Sequence, residues 1–324
     1  MACMRYRRLG ITGLEVSELS YGSWVTFGTQ MNQARCTQMV QHAFSSGVNF
    51  FDCAEVYADG EAERLLGDAL RDLPRSDYVL STKIFWGGTG PNKEGLNRKR
   101  LVEGTQASLQ RLGLAHVDLL YCHRPDPHTA ISEVVRSMSL LVQSGATHWW
   151  GTSEWNAAQL REAFDCAEKH HLVPPSMEQP QYNLLAREGV ECELAPLLAQ
   201  MGLGLTTWSP LASGVLTGKY AQGFPVGSRL ESEAWLRKRC TPAVLQRVER
   251  LSALAAQADM SAAQAAIAWC LRRSEVSSVI LGATSTAQLD HNLAAAALGA
   301  ACDAAFWQRV DALFTDLPTM PADG

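Results

Sequence analysis

The chain has no apolar run approaching the roughly 18 residues that a membrane-spanning helix needs. Its start, MACMRYRRLG, has no apolar core of a secretory signal. A cytoplasmic protein with no direct membrane insertion is therefore expected. Blocks of basic residues are also missing, and the formal net charge is -5. Neither nucleic acid nor an anionic membrane is an expected partner. Closely spaced cysteines are absent too: the nearest of the nine, Cys36 and Cys53, stand seventeen residues apart. No CxxC redox pair or zinc motif is spelled out, no metal is expected, and the cysteines read as reduced thiols, mostly buried. No GxGxxG follows a strand; Gly202 and Gly204 precede theirs and lack the third glycine, which argues against a doubly wound dinucleotide domain. Gly214, Gly218 and Lys219 are not a P-loop either, because only three residues separate the glycines and Tyr220 stands where Ser or Thr is required.

What the chain has is a rhythm. Its 324 residues are 47% apolar, with Gly and Pro scattered rather than gathered into linkers. Short β-rich runs alternate with helical periodicity: SELSYGSW, NFFDCAE, YVLSTKI, VDLLYCH, THWWGTS, SMEQPQY, GLTTWSP and SSVILGA. Eight strand and helix units predict an α/β fold, a (β/α)8 TIM barrel. The opening YRRLGITGLEVSEL predicts a hairpin, at about 4–17, closing the barrel's bottom. One domain over 1–324, with a tail at about 316–324, is the simplest division. The two longest breaks in the rhythm, FWGGTGPNKEGLN and the stretch from Pro210 to about Arg239, are expected to hang over the C-terminal face.

Four polar residues stand at the ends of these runs or just beyond: Asp52, Tyr57, Lys83 and His123. Any one of them alone would ordinarily be a surface group or half of an ion pair. Together, on neighbouring strands of a barrel, they converge. A tyrosine is a poor acid at neutral pH unless a cation favours its phenolate. Lys83 is placed to be that cation, Asp52 to hold the ammonium, and His123 to donate to a substrate oxygen opposite Tyr57. Such a set protonates a carbonyl as hydride arrives.

Taken in order with YRRLGITGLEVSELSYGSW, DCAEVYADGEAERLLG, TKIFWGG, HRPDP, WGTSEW, EQPQYN, TWSPLASGVLTGKY, IAWCLRR and VILGATSTAQLDHN, these residues give the chain a family likeness. Over nearly its whole length it resembles the aldo-keto reductases, most of all the potassium-channel β-subunit group and its bacterial relatives. The resemblance implies Tyr57 as general acid, tuned by Lys83 and Asp52, with His123 orienting the carbonyl. The channel subunits carry Asn where this chain has His123, which favours ordinary reductase chemistry here. They carry Arg where it has Glu154, so at that position the chain departs from their pattern.

The implied cofactor is NADPH (NADP+). The resemblance assigns Ser153 and Gln179 to the nicotinamide carboxamide, Trp208 to the ring, Lys219 and Arg229 to the phosphates, and Gly282, Thr284, Gln288 and Asn292 to the adenosine end. Ser209, Pro210, Leu211 and Gly214 complete the expected cofactor contacts. Read without the resemblance, VILGATSTAQ is a capping box, with Ser285 as N-cap and Gln288 three residues on. The pocket wall is expected from Trp24, Phe27 and Trp86, with Trp155 and Trp235 more often loop packing. Such a wall suits aldehydes or ketones with aromatic or aliphatic bodies; no adjacent basic pair marks an acidic substrate. The family's tendency to form tetramers or larger rings makes a homo-oligomer one implied state. Two other functions stay open: a redox-sensing regulatory β-subunit of a membrane ion channel, and a phosphate-binding lyase or isomerase needing no nicotinamide.

Overall fold

The computed structural model describes residues 4–315; the tail at 316–324 lies outside them. The strands are β1 (Tyr6–Arg8), β2 (Glu15–Ser17), β3 (Leu19–Gly22), β4 (Phe50–Asp52), β5 (Val79–Ile84), β6 (Val117–Cys122), β7 (Thr147–Thr152), β8 (Met177–Glu178), β9 (Gly204–Thr207) and β10 (Val276–Leu281). The last eight close into a parallel barrel in the order β10-β3-β4-β5-β6-β7-β8-β9. Their residues are buried almost without alternation, as expected of strands covered on both faces. The crossovers include α1 (Gln33–Ser45), α2 (Glu61–Leu70), α3 (Arg98–Leu112), α4 (Ile131–Gln143) and α5 (Ala157–His170). After these come α6 (Ala195–Met201), α7 (Arg229–Ser232), α8 (Pro242–Ala256), α9 (Ala262–Cys270), α10 (Thr286–Leu293), α11 (Ala295–Ala300) and α12 (Ala304–Ala312). Among the described residues no helix is long and apolar enough to cross a membrane.

The hairpin forms as the sequence predicts, β1 antiparallel to β2 with Arg7 opposite Val16. Leu9 and Val16 join Phe50, Val79, Leu119, Tyr121 and Met177 in a cluster separate from the larger core, and so plug the barrel. Gly10 makes this fit. It has φ +56°, and a Cβ there would lie 2.2 Å from the Gly202 carbonyl oxygen, so only glycine lets the hairpin lie against the start of β9.

β8 is shorter than the SMEQPQY run suggests, ending at Glu178. Pro180 has no N–H to give the ladder, and pairing resumes only as a single bridge between Gln181 and Trp208.

Candidate active site

Strand order sets the chemistry. Asp52 ends β4, Lys83 lies near the end of β5 and His123 follows β6, so three adjacent strands present them side by side. Lys83 Nζ is buried and donates to Asp52 Oδ2 (2.6 Å), the Cys53 carbonyl (2.8 Å) and Tyr57 Oη (3.2 Å). All three ammonium donors are thereby used. Asp52 Oδ1 accepts from Ser81 Oγ at 2.7 Å and Gln179 Nε2 at 3.1 Å.

Tyr57 comes from the turn between β4 and α2, where Ala58 and Asp59 both take left-handed φ (48° and 52°). Glu55 holds that turn against the end of β5: its carboxylate accepts from the Phe85 N–H at 2.7 Å and pairs with Arg100. Breaking a buried pair of this kind strands a charge, so Glu55 and Arg100 position Tyr57 without touching it. The sequence reading missed both, because the pair joins segments 45 residues apart with no motif between them.

Lys83 favours the Tyr57 phenolate as the sequence suggests, but burial opposes it more strongly. Burial raises its pKa, Lys83 pulls it down, and the net result is about 12. The phenol therefore keeps its proton across the neutral range. Burial also works against the Lys83 ammonium, but Asp52 and Tyr57 outweigh it and the shift is upward. His123 is held well below its ordinary value, by burial first and then by Lys83 and Arg124, so its imidazole is neutral. Its ring stands edge-on to Tyr57, 5.8 Å between centroids, and to Trp86 at 5.0 Å. Nδ1 is buried without a hydrogen-bond partner among the described residues.

These groups open onto a cavity of about 770 Å³, within the range of small-molecule sites. Asp52, Tyr57 and His123 border it; Lys83 lies behind Tyr57. Trp24 and Trp86 form the expected wall, with Trp24 stacked near Tyr57 at 6.3 Å. Phe27 is a correction. It is buried in the core, edge-on to Tyr21 at 5.9 Å, and does not border the cavity, because Val25 takes a left-handed φ of 57° and reverses the chain before it. Trp155 is core as well, 3% exposed; the side chain of Trp235 lies outside the described residues.

The rest of the cavity lining forms a polar trough. Ser153, Gln179 and Trp208 border one part of it, with Ser209, Pro210, Leu211 and Gly214 beyond. Lys219 and Arg229 come from the long loop; Gly282, Thr284, Gln288 and Asn292 come from the end of β10 and from α10. Ser285 caps α10, accepting from the Gln288 N–H at 3.2 Å, while Gln288 Oε1 accepts from the Thr284 N–H at 3.0 Å. The second arm of the expected capping box thus falls one residue early. Arg35 of α1 donates to the Thr284 carbonyl, a cation beside this terminus that the sequence reading missed since it lies 249 residues away. The Arg229 guanidinium lies 4.1 Å over the Trp24 ring, across the cavity mouth. Ser209, Ser213 and Ser228 hydroxyls and Asn292 Nδ2 are buried on this wall with no hydrogen-bond partner among the described residues. Since buried polar groups are normally satisfied, this donor-rich trough with two cations fits an elongated phosphate-bearing group.

Glu154 also has a role that was not foreseen. Its backbone is left-handed (φ 59°), and its carboxylate accepts from the Gln181 N–H at 2.6 Å and from Trp208 Nε1 at 2.8 Å. It fixes the tilt of the Trp208 ring on the cavity wall.

Next to it, burial pushes Glu178 up to about 8 from an ordinary 4.5. The folded form therefore binds this proton more tightly than the unfolded form, and stability falls as pH rises through the window between the two values. Glu178→Gln should remove that slope. An amide can still accept from the Trp155 N–H and donate to Thr152 Oγ1, two of the groups that Glu178 contacts. The variant's melting temperature should exceed wild type by a margin that widens from pH 5 to pH 8; a margin that does not change with pH contradicts this.

A closed parallel barrel with a Tyr, Lys, Asp and His meeting at its C-terminal face defines a class of oxidoreductase-like barrel. The chain belongs to the aldo/keto reductase family, whose model matches residues 18–314. It is 51% identical over 298 residues to a protein of Arabidopsis thaliana described as "Probable voltage-gated potassium channel subunit beta", covering 90% of this chain and 91% of the relative. A relative of the same description from Oryza sativa subsp. japonica matches to the same extent. Family membership supports an oxidoreductase acting on small carbonyl compounds, and the family generally uses NAD(P)H.

Proposed function

We propose that the protein reduces aldehydes or ketones to alcohols with NADPH, with Tyr57 as the proton donor. The observation that carries this reading is the buried chain Asp52–Lys83–Tyr57 ending at the cavity floor, with a neutral His123 beside it. NADPH, when bound, would supply the hydride. Tyr57 holds a proton at its phenolic oxygen, and Lys83 stabilises the charge left when that proton departs. A neutral imidazole can donate to a carbonyl oxygen without competing for the proton. Trp24 and Trp86 exclude water from the reacting centre and offer aromatic faces to an apolar substrate body. Ser153, Gln179 and Trp208 would hold the nicotinamide end, and Lys219, Arg229 and the α10 terminus the phosphates.

Titration with NADPH, followed by tryptophan fluorescence, tests the reading. Trp24 and Trp208 border the cavity, so saturable quenching is expected, and addition of an aldehyde should then oxidise the cofactor. Absence of either response removes the proposal. The phosphate preference has its own test. ATSTAQLDHN contains no Arg or Lys, so a modest preference for NADPH over NADH is expected. Arg229→Ala should weaken NADPH much more than NADH. Equal losses would place Arg229 on the shared pyrophosphate, and tighter NADH binding in the wild type would overturn the preference.

The names of the plant relatives favour a second reading, a regulatory subunit of a membrane channel that turns over slowly. Co-purification with a channel, together with a turnover that excess aldehyde does not raise, would support it over the first.

A further inference from the structure

At the other end of the barrel, three metal-ligating side chains meet where β6 and β7 begin. We propose that His116, Asp118 and His148 bind one divalent first-row cation, Zn²⁺ foremost. Their ligand atoms lie within 4.8 Å of one another. A tetrahedral zinc with bonds of about 2.0–2.1 Å spaces its ligands about 3.3 Å apart. The cluster must therefore close by at most about 1.5 Å, which rotation of the exposed His148 side chain supplies.

The strands explain the meeting. Val117 pairs with Thr147 and Leu119 with Trp149, so Asp118 and His148 are lateral neighbours, and His116 precedes the first of these pairs. The two imidazoles lie 4.5 Å apart between centroids, and among the described residues neither makes a hydrogen bond. Asp118 is buried and already oriented: Arg75 donates to its Oδ2 at 2.7 Å and the Leu80 N–H to the same oxygen at 2.8 Å. That leaves Oδ1 for a cation, with outer partners fixing the carboxylate as metal-binding carboxylates require. Arg75 opposes the added charge, while Glu15 and Asp77, bordering the same hollow of about 460 Å³, offset it. Two imidazoles and one carboxylate, with room for water, are a ligand set for Zn²⁺ rather than for Ca²⁺ or Mg²⁺. Lying away from the C-terminal face, the ion would tie β6 to β7 rather than take part in carbonyl chemistry.

The test uses the full chain without a histidine tag, stripped with a chelator, desalted and titrated calorimetrically with ZnCl₂. One equivalent should bind, and Zn²⁺ should raise the melting temperature. His148→Ala removes an exposed ligand without opening the core; it should weaken binding at least tenfold and abolish the thermal gain. The His170→Ala/His171→Ala variant, which removes an exposed surface pair, should change neither. No saturable one-equivalent binding would overturn the proposal, as would unchanged affinity in His148→Ala.

Discussion

Tyr57→Phe should lower kcat for aldehyde reduction by about 10² to 10⁴, the usual worth of a general acid, while the dissociation constant for NADPH changes little. The phenolic oxygen is the one polar atom this change removes. It accepts from Lys83 Nζ at 3.2 Å and lies on the cavity floor, so its loss affects the reacting oxygen and spares the trough. The ring stays, and with it the stacking on Trp24 and the edge contact with His123. Single-turnover rates with NADPH already bound separate the two effects. A variant that keeps more than about a tenth of the wild-type rate shows that another group donates the proton.

Lys83→Met should cost both activity and stability. The ammonium is buried against Asp52 at 2.6 Å, and removing one partner of a buried pair typically costs about 3–5 kcal/mol because the other charge is stranded. The loss should fall toward the lower end of that range, since Ser81 and Gln179 still donate to Asp52. Catalysis should fall about as far as in Tyr57→Phe, because burial, no longer opposed by the cation, drives the phenol still higher. Adding Asp52→Asn distinguishes the two losses: with no charge left to strand, much of the melting temperature should return while the rate stays low. Recovery of both would make Lys83 a structural residue only. An active Lys83→Met enzyme would remove the basis for Tyr57 as acid.

Much of the architecture could be read from local pattern. Buried runs such as VLSTKI and VDLLYC became β5 and β6, and YRRLGITGLEVS became the hairpin, because short β-prone runs and glycine placement act over a few residues. Asp52, Tyr57, Lys83 and His123 could be grouped in advance for a related reason: in a parallel barrel every strand end faces the same way, so position along a strand fixes which mouth a residue meets. Direction within a loop is not so fixed. Phe27 and Trp24 stand three residues apart, yet one is core and one is wall, a choice made by the left-handed turn at Val25.

The remaining features depend on contacts between distant segments. Whether Tyr57 is a phenol or a phenolate is a balance of burial against the Lys83 charge, and neither is a property of the residues near it in sequence. Glu55 meets Arg100, Glu154 meets Trp208, Arg35 meets Thr284, and His116 and Asp118 meet His148, each across at least thirty residues. Periodicity tells which face of a strand or helix is covered. Only closure of the barrel determines what covers it, because strand order and stagger bring together charges that no short-range rule pairs.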